Sequence, residues 1–437
     1  MPRRLLRLVA TALHGLAHVR NISSRGSCDT KRQRGLIAPS ARHSCAARAR
    51  STPRQILPVI PKPHQDAREC GDGPARPPTG AARPHIVLNT SPRSVSIIVN
   101  NFNYDRYVGA AIESALAQTH AAQVIVVDDA STDGSRDIIA AFGERIVPVL
   151  KATNGGQASA MNEGLRLASG DIVIFLDSDD LLAADAAETL LAQWRPDTAM
   201  AQYPLTIIDA DGAHLGVYPD PPSGLAEGDV REELLATGSF VTTVTTGLAF
   251  ARTALASVTP IPIQPFQFAA DGYLTRAVAF RGAVQRVDAR LGSYRKHGRN
   301  DSDVCATPGG LGEGFRRKIE HADNEFRTTR DFAERNGLVV APNLGQQNPD
   351  YLGYRLFSLL IEPDSHPIPG DRRLTLLTRY VKARWKSPWR LRRRVLAITL
   401  ATAASLCTTG VSGTFIRWLH DPKSRPGWFP TRSPERV

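Results

Sequence analysis

The sequence predicts an α/β fold: a mostly parallel central sheet flanked by helices, followed by a helical C-terminal region. Three observations predict it. From Ser94 onward short apolar runs alternate with segments of helical apolar period, the pattern of strands joined by crossover helices. The runs end in Asn or Asp, as strands do when they leave a core at a ligand-facing edge. The stretch before Ser94 has neither feature, so the fold begins there.

The first element is S-V-S-I-I-V-N-N-F-N-Y, an apolar strand that runs out into Asn and aromatic residues. Residues 106–118 then place Val108, Ile112, Ala115 and Leu116 on one face, an amphipathic helix. Residues 122–129, A-Q-V-I-V-V-D-D, form a second strand with an acidic exit. The loop A-S-T-D-G-S follows, then a helix from about Arg136 and a third strand over 146–151. N-G-G-Q-A-S-A-M-N-E-G, from Asn154, leads a loop into a helix, and residues 170–176 form the next strand.

That strand ends in the most informative cluster of the chain, F-L-D-S-D-D. Asp177, Asp179 and Asp180 would repel one another unless a cation lay among them, and an all-oxygen ligand set suits Mg²⁺ or Mn²⁺. A divalent ion there can bridge a diphosphate. Ser178, Asp179 and Asp180 also suit the N-cap of a helix beginning near Leu181, and the two roles are compatible.

Beyond Trp194 the pattern is less regular. T-I-I-D-A-D reads as a strand and turn at 206–211, residues 219–228 as a Pro-Gly loop, and T-T-V-T-T-G-L-A-F-A-R, 242–252, as a strand carrying Gly247. Charged and apolar helical stretches cover 313–336 and 351–361. Many Arg and Lys with Trp385 and Trp389 fill 372–394, ahead of 22 uncharged residues, 395–416. Length alone would let that segment span a membrane. Thr399, Thr402, Ser405, Thr409 and Ser412 recur along it as a polar stripe, which favours helices lying on an anionic membrane surface or packed on the body as a soluble appendix.

Residues 1–93 hold 17 Lys and Arg against 4 Asp and Glu, whereas the remainder holds 37 against 38. The basic character is therefore that of an Arg-, Pro- and Ala-rich extension, which reads as disordered and supplies no core. It lacks aromatics to stack on bases, and no nucleic-acid partner is expected. Cys305 and Cys407 are isolated in the body, so no disulfide framework or CxxC metal site is present, which fits a reducing setting. No G-x-G-x-x-G follows the first strand, which excludes a dinucleotide-dependent dehydrogenase.

Four stretches in order, S-I-I-V-N-N-F-N, V-V-D-D-A-S-T-D-G-S, N-G-G-Q-A-S-A-M-N-E-G and F-L-D-S-D-D, resemble the family 2 glycosyltransferases of GT-A fold over about 94–194. The resemblance implies an inverting, non-processive enzyme that uses Mn²⁺ or Mg²⁺. It would move a sugar from a nucleotide-diphosphate donor, UDP-linked by analogy, to a glycan or lipid-linked acceptor at the inner face of the cell membrane. The strand-end residues Asn100, Phe102 and Asn103 would meet the nucleotide, with Phe102 against the base. Asp128 would bond the uracil ring, and Gly156 stands where the family can carry Arg. Asp177 and Asp179 match the DXD motif, with Asp179 as metal ligand. Gly247 matches a glycine loop near the sugar.

F-A-A-D-G-Y-L resembles the family's x-E-D motif, with Ala270 in place of the usual Glu and Asp271 kept as catalytic base; a helix N-cap is the structural alternative. L-G-S-Y-R-K-H-G-R-N resembles the closing element in which His297 completes the metal shell and Arg295 or Arg299 holds phosphate. V-K-A-R-W at 381–385 lacks the Gln of processive synthases. The expected organisation is an extension over 1–93, a GT-A domain over 94–305 and a helical region over 306–437. A nucleotidyltransferase would want a basic Gly-rich loop after the first strand, which is missing, and a silent scaffold of the same fold is the alternative that Ala270 and Gly156 leave open.

Overall fold

The computed structural model describes residues 94–429 except 299, 301, 302, 306 and 428. The expectations for the extension at 1–93 and for Arg299 lie outside the described residues.

The predicted strands form with small shifts: β1 (Val95–Asn101), β2 (Gln123–Asp128), β3 (Val147–Leu150) and β4 (Ile172–Asp177), joined by α1 (Asp105–Leu116), α2 (Ser135–Ala141) and α3 (Gln157–Leu167). β1 pairs in parallel with β2 and β4, and β2 with β3. β1 is buried along its whole length, so it reads as a continuous apolar run and not as an alternating one. Its residues feed two cores. Ile97 and Val99 pack under Val108 and Ile112 of α1, while Ile98 faces Met161 of α3 and Phe175 of β4.

After β4 the structure departs from expectation. No helix starts at Leu181. A turn leads into a two-residue strand, β5 (Leu181–Leu182), and the helix α4 begins only at Ala186 and runs to Gln193. The acidic tip is therefore not a helix cap, because β5 pairs with a later strand and holds the chain extended.

The second half extends the sheet. β6 (Thr198–Gln202), β9 (Leu248–Ala251) and β10 (Ala283–Arg286) complete a seven-stranded order β10-β6-β9-β4-β1-β2-β3, with β9 antiparallel to β4 and β6. Thr242–Gly247, expected within a strand, instead forms an irregular run and a short 3₁₀ turn ahead of β9. A smaller sheet, β5-β11-β7-β8, is built from β7 (Leu205–Asp209), β8 (His214–Tyr218) and β11 (Gly292–Lys296). Short helices α5 (Arg231–Thr237), α6 (Arg252–Ala256) and α7 (Asp271–Val278) complete the body.

The C-terminal region comprises α8 (Gly310–Arg335), α9 (Pro349–Ile361), α10 (Arg373–Lys386), α11 (Leu391–Ser405) and α12 (Thr409–His420). The uncharged stretch 395–416 is not one helix but parts of two, broken at Leu406–Thr408. Among the described residues no helix is long and apolar enough to cross a membrane. Ala397, Leu400, Ala401 and Ala404 of α11 pack with Phe415 of α12, Leu356 of α9 and Tyr380 of α10. The polar stripe does not mark a face turned to lipid headgroups along its length. Ser405 and Ser412 are buried, their hydroxyls donating to the carbonyls of Ala401 (2.8 Å) and Ala404 (2.7 Å).

Candidate active site

The C-terminal ends of β1, β2 and β4 converge, and with them most of the residues singled out from the sequence. In the strand register Asn100 lies opposite Asp177 on one side and Val127 on the other, and Asn101 lies opposite Asp128. Asn100 is 9% exposed, and neither polar atom of its amide has a hydrogen-bond partner. A buried amide without partners is costly. Phe102 is 43% exposed and so is no core residue. Asn103 has φ of 58°, and its side-chain oxygen accepts from the Thr132 amide at 2.7 Å, which ties the end of β1 to the loop after β2.

Asp128 ends β2 beside Asn101. It is fully buried and accepts from Asn101 Nδ2 (2.9 Å), the Ser131 amide (3.0 Å) and Arg136 Nε (2.8 Å). Burial alone would raise its pKa, but these bonds outweigh it and hold the carboxyl below the ordinary range. Gly156 is likewise committed. Its φ is 79°, its amide donates to Asp129 at 2.7 Å, and a Cβ there would lie 2.5 Å from the carbonyl of Gln267. The loop before α7 occupies the space that a larger side chain would need.

The acidic tip is held from three sides. Asp180, 1% exposed, accepts from Thr246 Oγ1 (2.6 Å) and the Arg295 amide (2.8 Å). Asp179 Oδ2 lies 2.8 Å from His297 Nε2 and 3.2 Å from Asn300 Nδ2, so the fold brings together two residues 118 positions apart. The His297 ring packs between Tyr104 and Tyr107, at centroid distances of 5.5 and 5.2 Å. Burial first, then the charges of Asp179 and Asp271, push Asp177 up to about 8. Asp180 is raised well above the ordinary range by burial, Asp179 and Asp177. The tip thus concentrates more negative charge than its surroundings compensate. Among the described residues no three His, Cys, Asp or Glu side chains are gathered closely enough to hold a metal ion by themselves.

Asp271 opens α7 as its first residue; Ala270, which has no side chain to cap with, occupies the cap position. Burial, partly offset by His321, raises its pKa, and Glu325 adds to the rise. One side chain that sequence reading passed over ties Asp271's loop to the tip. Gln157 donates to Asp177 Oδ1 (3.2 Å) and accepts from the Ala270 amide (2.8 Å). It stands inside the N-G-G-Q-A-S motif, which was the available signal.

Two expected contacts are taken up by the chain itself. Arg295, 5% exposed, donates through Nε to the Asp179 carbonyl (2.7 Å) and through Nη1 toward the carbonyls of Asp209 and Ala210 (3.3 Å each). It braces the acidic tip against the smaller sheet and has no exposed face for phosphate. At Gly247 a Cβ would lie 2.5 Å from Thr243 Oγ1 and 3.0 Å from the Tyr203 carbonyl, so the close approach there is the protein's own.

A family model described as glycosyl transferase family 2 matches residues 96–232. An uncharacterized glycosyltransferase of Nostoc sp. is 35% identical over 220 residues, 49% of this chain and 68% of that protein. The chain belongs to glycosyltransferase family 2. Another member, the UDP-Glc:alpha-D-GlcNAc-diphosphoundecaprenol beta-1,3-glucosyltransferase WfaP of Escherichia coli, is 33% identical over 130 residues, 29% of this chain and 52% of its own. Among solved structures, TarS 1–349 of S. aureus in complex with UDP aligns over 75% of this chain and 91% of its own at 16% identity. The TM-score of that alignment is 0.39. The family match covers Asn100 to Asp180; Asp271, Arg295 and His297 lie beyond it.

Proposed function

We propose that this family 2 glycosyltransferase transfers a sugar, with inversion, from a nucleotide-diphosphate donor to a hydroxyl of a glycan or lipid-linked acceptor. The donor is UDP-linked, and the reaction depends on Mn²⁺ or Mg²⁺. The observation that carries the proposal is the meeting of Asp179 with His297 beside Asp177, within electrostatic reach of Asp271. The named activity of the Escherichia coli relative, on a UDP-sugar and a diphosphate-linked lipid, supports this donor and acceptor class.

Asp179 and His297, which meet at 2.8 Å, offer a carboxylate and an imidazole that suit Mn²⁺ or Mg²⁺, with Asp177 beside them. Asp179 and His297 would hold the ion, which when bound neutralises charge on the leaving diphosphate. Asn100 and Phe102 receive the nucleotide at the end of β1. Asp271 accepts the proton of the acceptor hydroxyl, whose oxygen forms the bond to the anomeric carbon as the bond to the donor phosphate breaks and its electron pair leaves with the nucleoside diphosphate. A carboxylate raised by burial is the stronger base for this step. Gln157 keeps the Asp271 loop and Asp177 in fixed relation.

The test is calorimetric titration of the full chain with UDP, GDP and dTDP, with and without Mn²⁺, in the native protein and in Asp179→Ala. The expected result is Mn²⁺-dependent binding of UDP that the substitution abolishes. A folded protein that binds none of the three under either condition is a silent scaffold, and the proposal fails.

A further inference from the structure

Where the C-terminal helices meet the catalytic body, a groove of about 980 Å³ opens between α10, the middle of α8 and residues 218–242. Its volume is at the upper end for a small-molecule site. Its inner wall carries Arg276, His321 and Glu325. That wall touches the first turn of α7: Arg276 Nη1 donates to the Gly272 carbonyl at 3.1 Å. A Cβ on Gly272 would lie 2.4 Å from Glu325 Oε1 and 2.9 Å from His321 Nε2. The groove therefore ends against the residue that follows Asp271. Thr242 on its lip starts the run that reaches Thr246, whose hydroxyl binds Asp180.

The groove's charge is one-sided. α10 turns Arg379, Lys382 and Lys386 toward it at helical spacing, and Arg393 of α11 joins them. All four are exposed, and among the described residues none forms an ion pair with a carboxylate. Of the four acids on the wall, Asp350 is held by Arg384 (2.6 Å), Asp220 by Arg390 (2.8 Å) and Glu325 by Arg276 (2.5 Å), which leaves Glu233 alone against the four cations. Beside them the Trp389 ring is stacked by guanidinium groups, Arg384 at 3.8 Å and Arg393 at 3.9 Å from the ring centre. Thr242 Oγ1 and Arg276 Nε, both lining residues' atoms, are buried without a hydrogen-bond partner. Unpaired cations next to an ordered aromatic wall suit a ligand that joins a diphosphate to a hydrocarbon chain.

We propose that this groove binds the acceptor through its diphosphate, with Arg379, Lys382, Lys386 and Arg393 holding the anion, Trp389 meeting the adjoining hydrocarbon, and the acceptor sugar directed inward to Asp271. The inference rests on the transferase reading above and names the acceptor side of that same site. The donor site, as proposed above, depends on the divalent ion to hold a diphosphate, so chelator separates the two sites.

The experiment is calorimetry on the full chain in EDTA with farnesyl diphosphate, inorganic pyrophosphate, farnesol and UDP. It compares the native protein, Lys382→Glu with Lys386→Glu, Arg393→Gln and Asp179→Ala. Farnesyl diphosphate is expected to bind native protein and Asp179→Ala alike, more tightly than pyrophosphate or UDP, and at least about tenfold more weakly in the double charge reversal and in Arg393→Gln; farnesol is not retained. The lysines are exposed, and a thermal melt checks that the variants fold. The proposal is overturned if farnesyl diphosphate does not bind native protein, if the folded variants bind it unchanged, or if UDP binds this groove more tightly. Loss of Mn²⁺-dependent nucleotide binding with this result intact would fault the donor reading alone.

Discussion

Asp177 sits close enough to Asp271 to feel its charge, yet the proposed reaction asks opposite things of them. Asp177, pushed up to about 8, resists ionisation until a cation arrives; Asp271, raised by burial, has to accept a proton. Replacing Asp271 by Asn keeps the shape and removes the base. Sugar transfer should fall by roughly 10²- to 10⁴-fold in kcat, while Mn²⁺-dependent nucleotide binding stays within about twofold. Turnover assay and calorimetry on the same preparation check it, and unchanged transfer would mean that the base lies elsewhere. Gly156 shows why a residue that departs from the family pattern need not be a lost function. With φ of 79° and the Gln267 carbonyl in the place of a Cβ, the position has exchanged a side chain that could reach the donor for a tight fit against the loop that carries Asp271.

At the scale of elements, α12 ends in a group that makes the C-terminal helices sensitive to acid. Burial pushes the His420 imidazole down to about 4, the carboxylates of Asp350 and Asp303 offsetting this only in part. Its ring packs edge-on against Phe315 and Phe357, and its Nε2 has no partner. Between about pH 4 and the ordinary 6.5, the unfolded chain binds a proton that the folded one refuses. The contribution is complete above pH 6.5 and drains away as pH falls toward 4, by at most about 1.4 kcal/mol per unit. Urea unfolding at pH 7, 5.5 and 4.5 should show this slope in the native protein and a shallower one in His420→Leu; equal slopes would place the titration elsewhere. The same scale sets what the sequence could reveal. β1, β2 and β4 were legible because strands buried on both faces are written as apolar runs, and their Asn and Asp ends marked the site. β9 was not legible over its full expected span, because Thr242–Gly247 carries strand-like residues, but the one hydroxyl of Thr246 donates to Asp180 and accepts from the Asp177 amide, which holds the run to the acidic tip. The stripe on α11 and α12 misled for a related reason: a serine that bonds a carbonyl of its own or a neighbouring helix needs no water. No local pattern reports that Arg295 will be enclosed by three carbonyls from distant strands and turns.

Across the whole molecule, α8 is the member that two cores share. At 26 residues it is about 39 Å long, enough to reach from one to the other. Its C-terminal end places Phe332 and Ala333 among Tyr273, Leu274 and Phe280, with the Phe332 and Phe280 rings stacked at 5.9 Å. Its N-terminal half places Leu311 and Phe315 among Leu356, Tyr380 and Phe415. The organisation expected from sequence divides the chain at 305, just ahead of this helix, and the packing bears on whether the two sides unfold separately. If α8 couples them, a cavity at one end is felt at the other. Phe332→Ala should cost about 3–5 kcal/mol, a large part of the 5–15 kcal/mol that holds a typical protein folded. Hydrogen exchange resolved by segment is the measurement. Coupling predicts that the slowest amides of α7, which touches Phe332, and of α9, which does not share that core, lose protection by the same free energy, because both exchange through one cooperative opening. If protection falls in α7 alone, the C-terminal helices open independently, and the groove between them and the body is free to widen without unfolding the site it leads to.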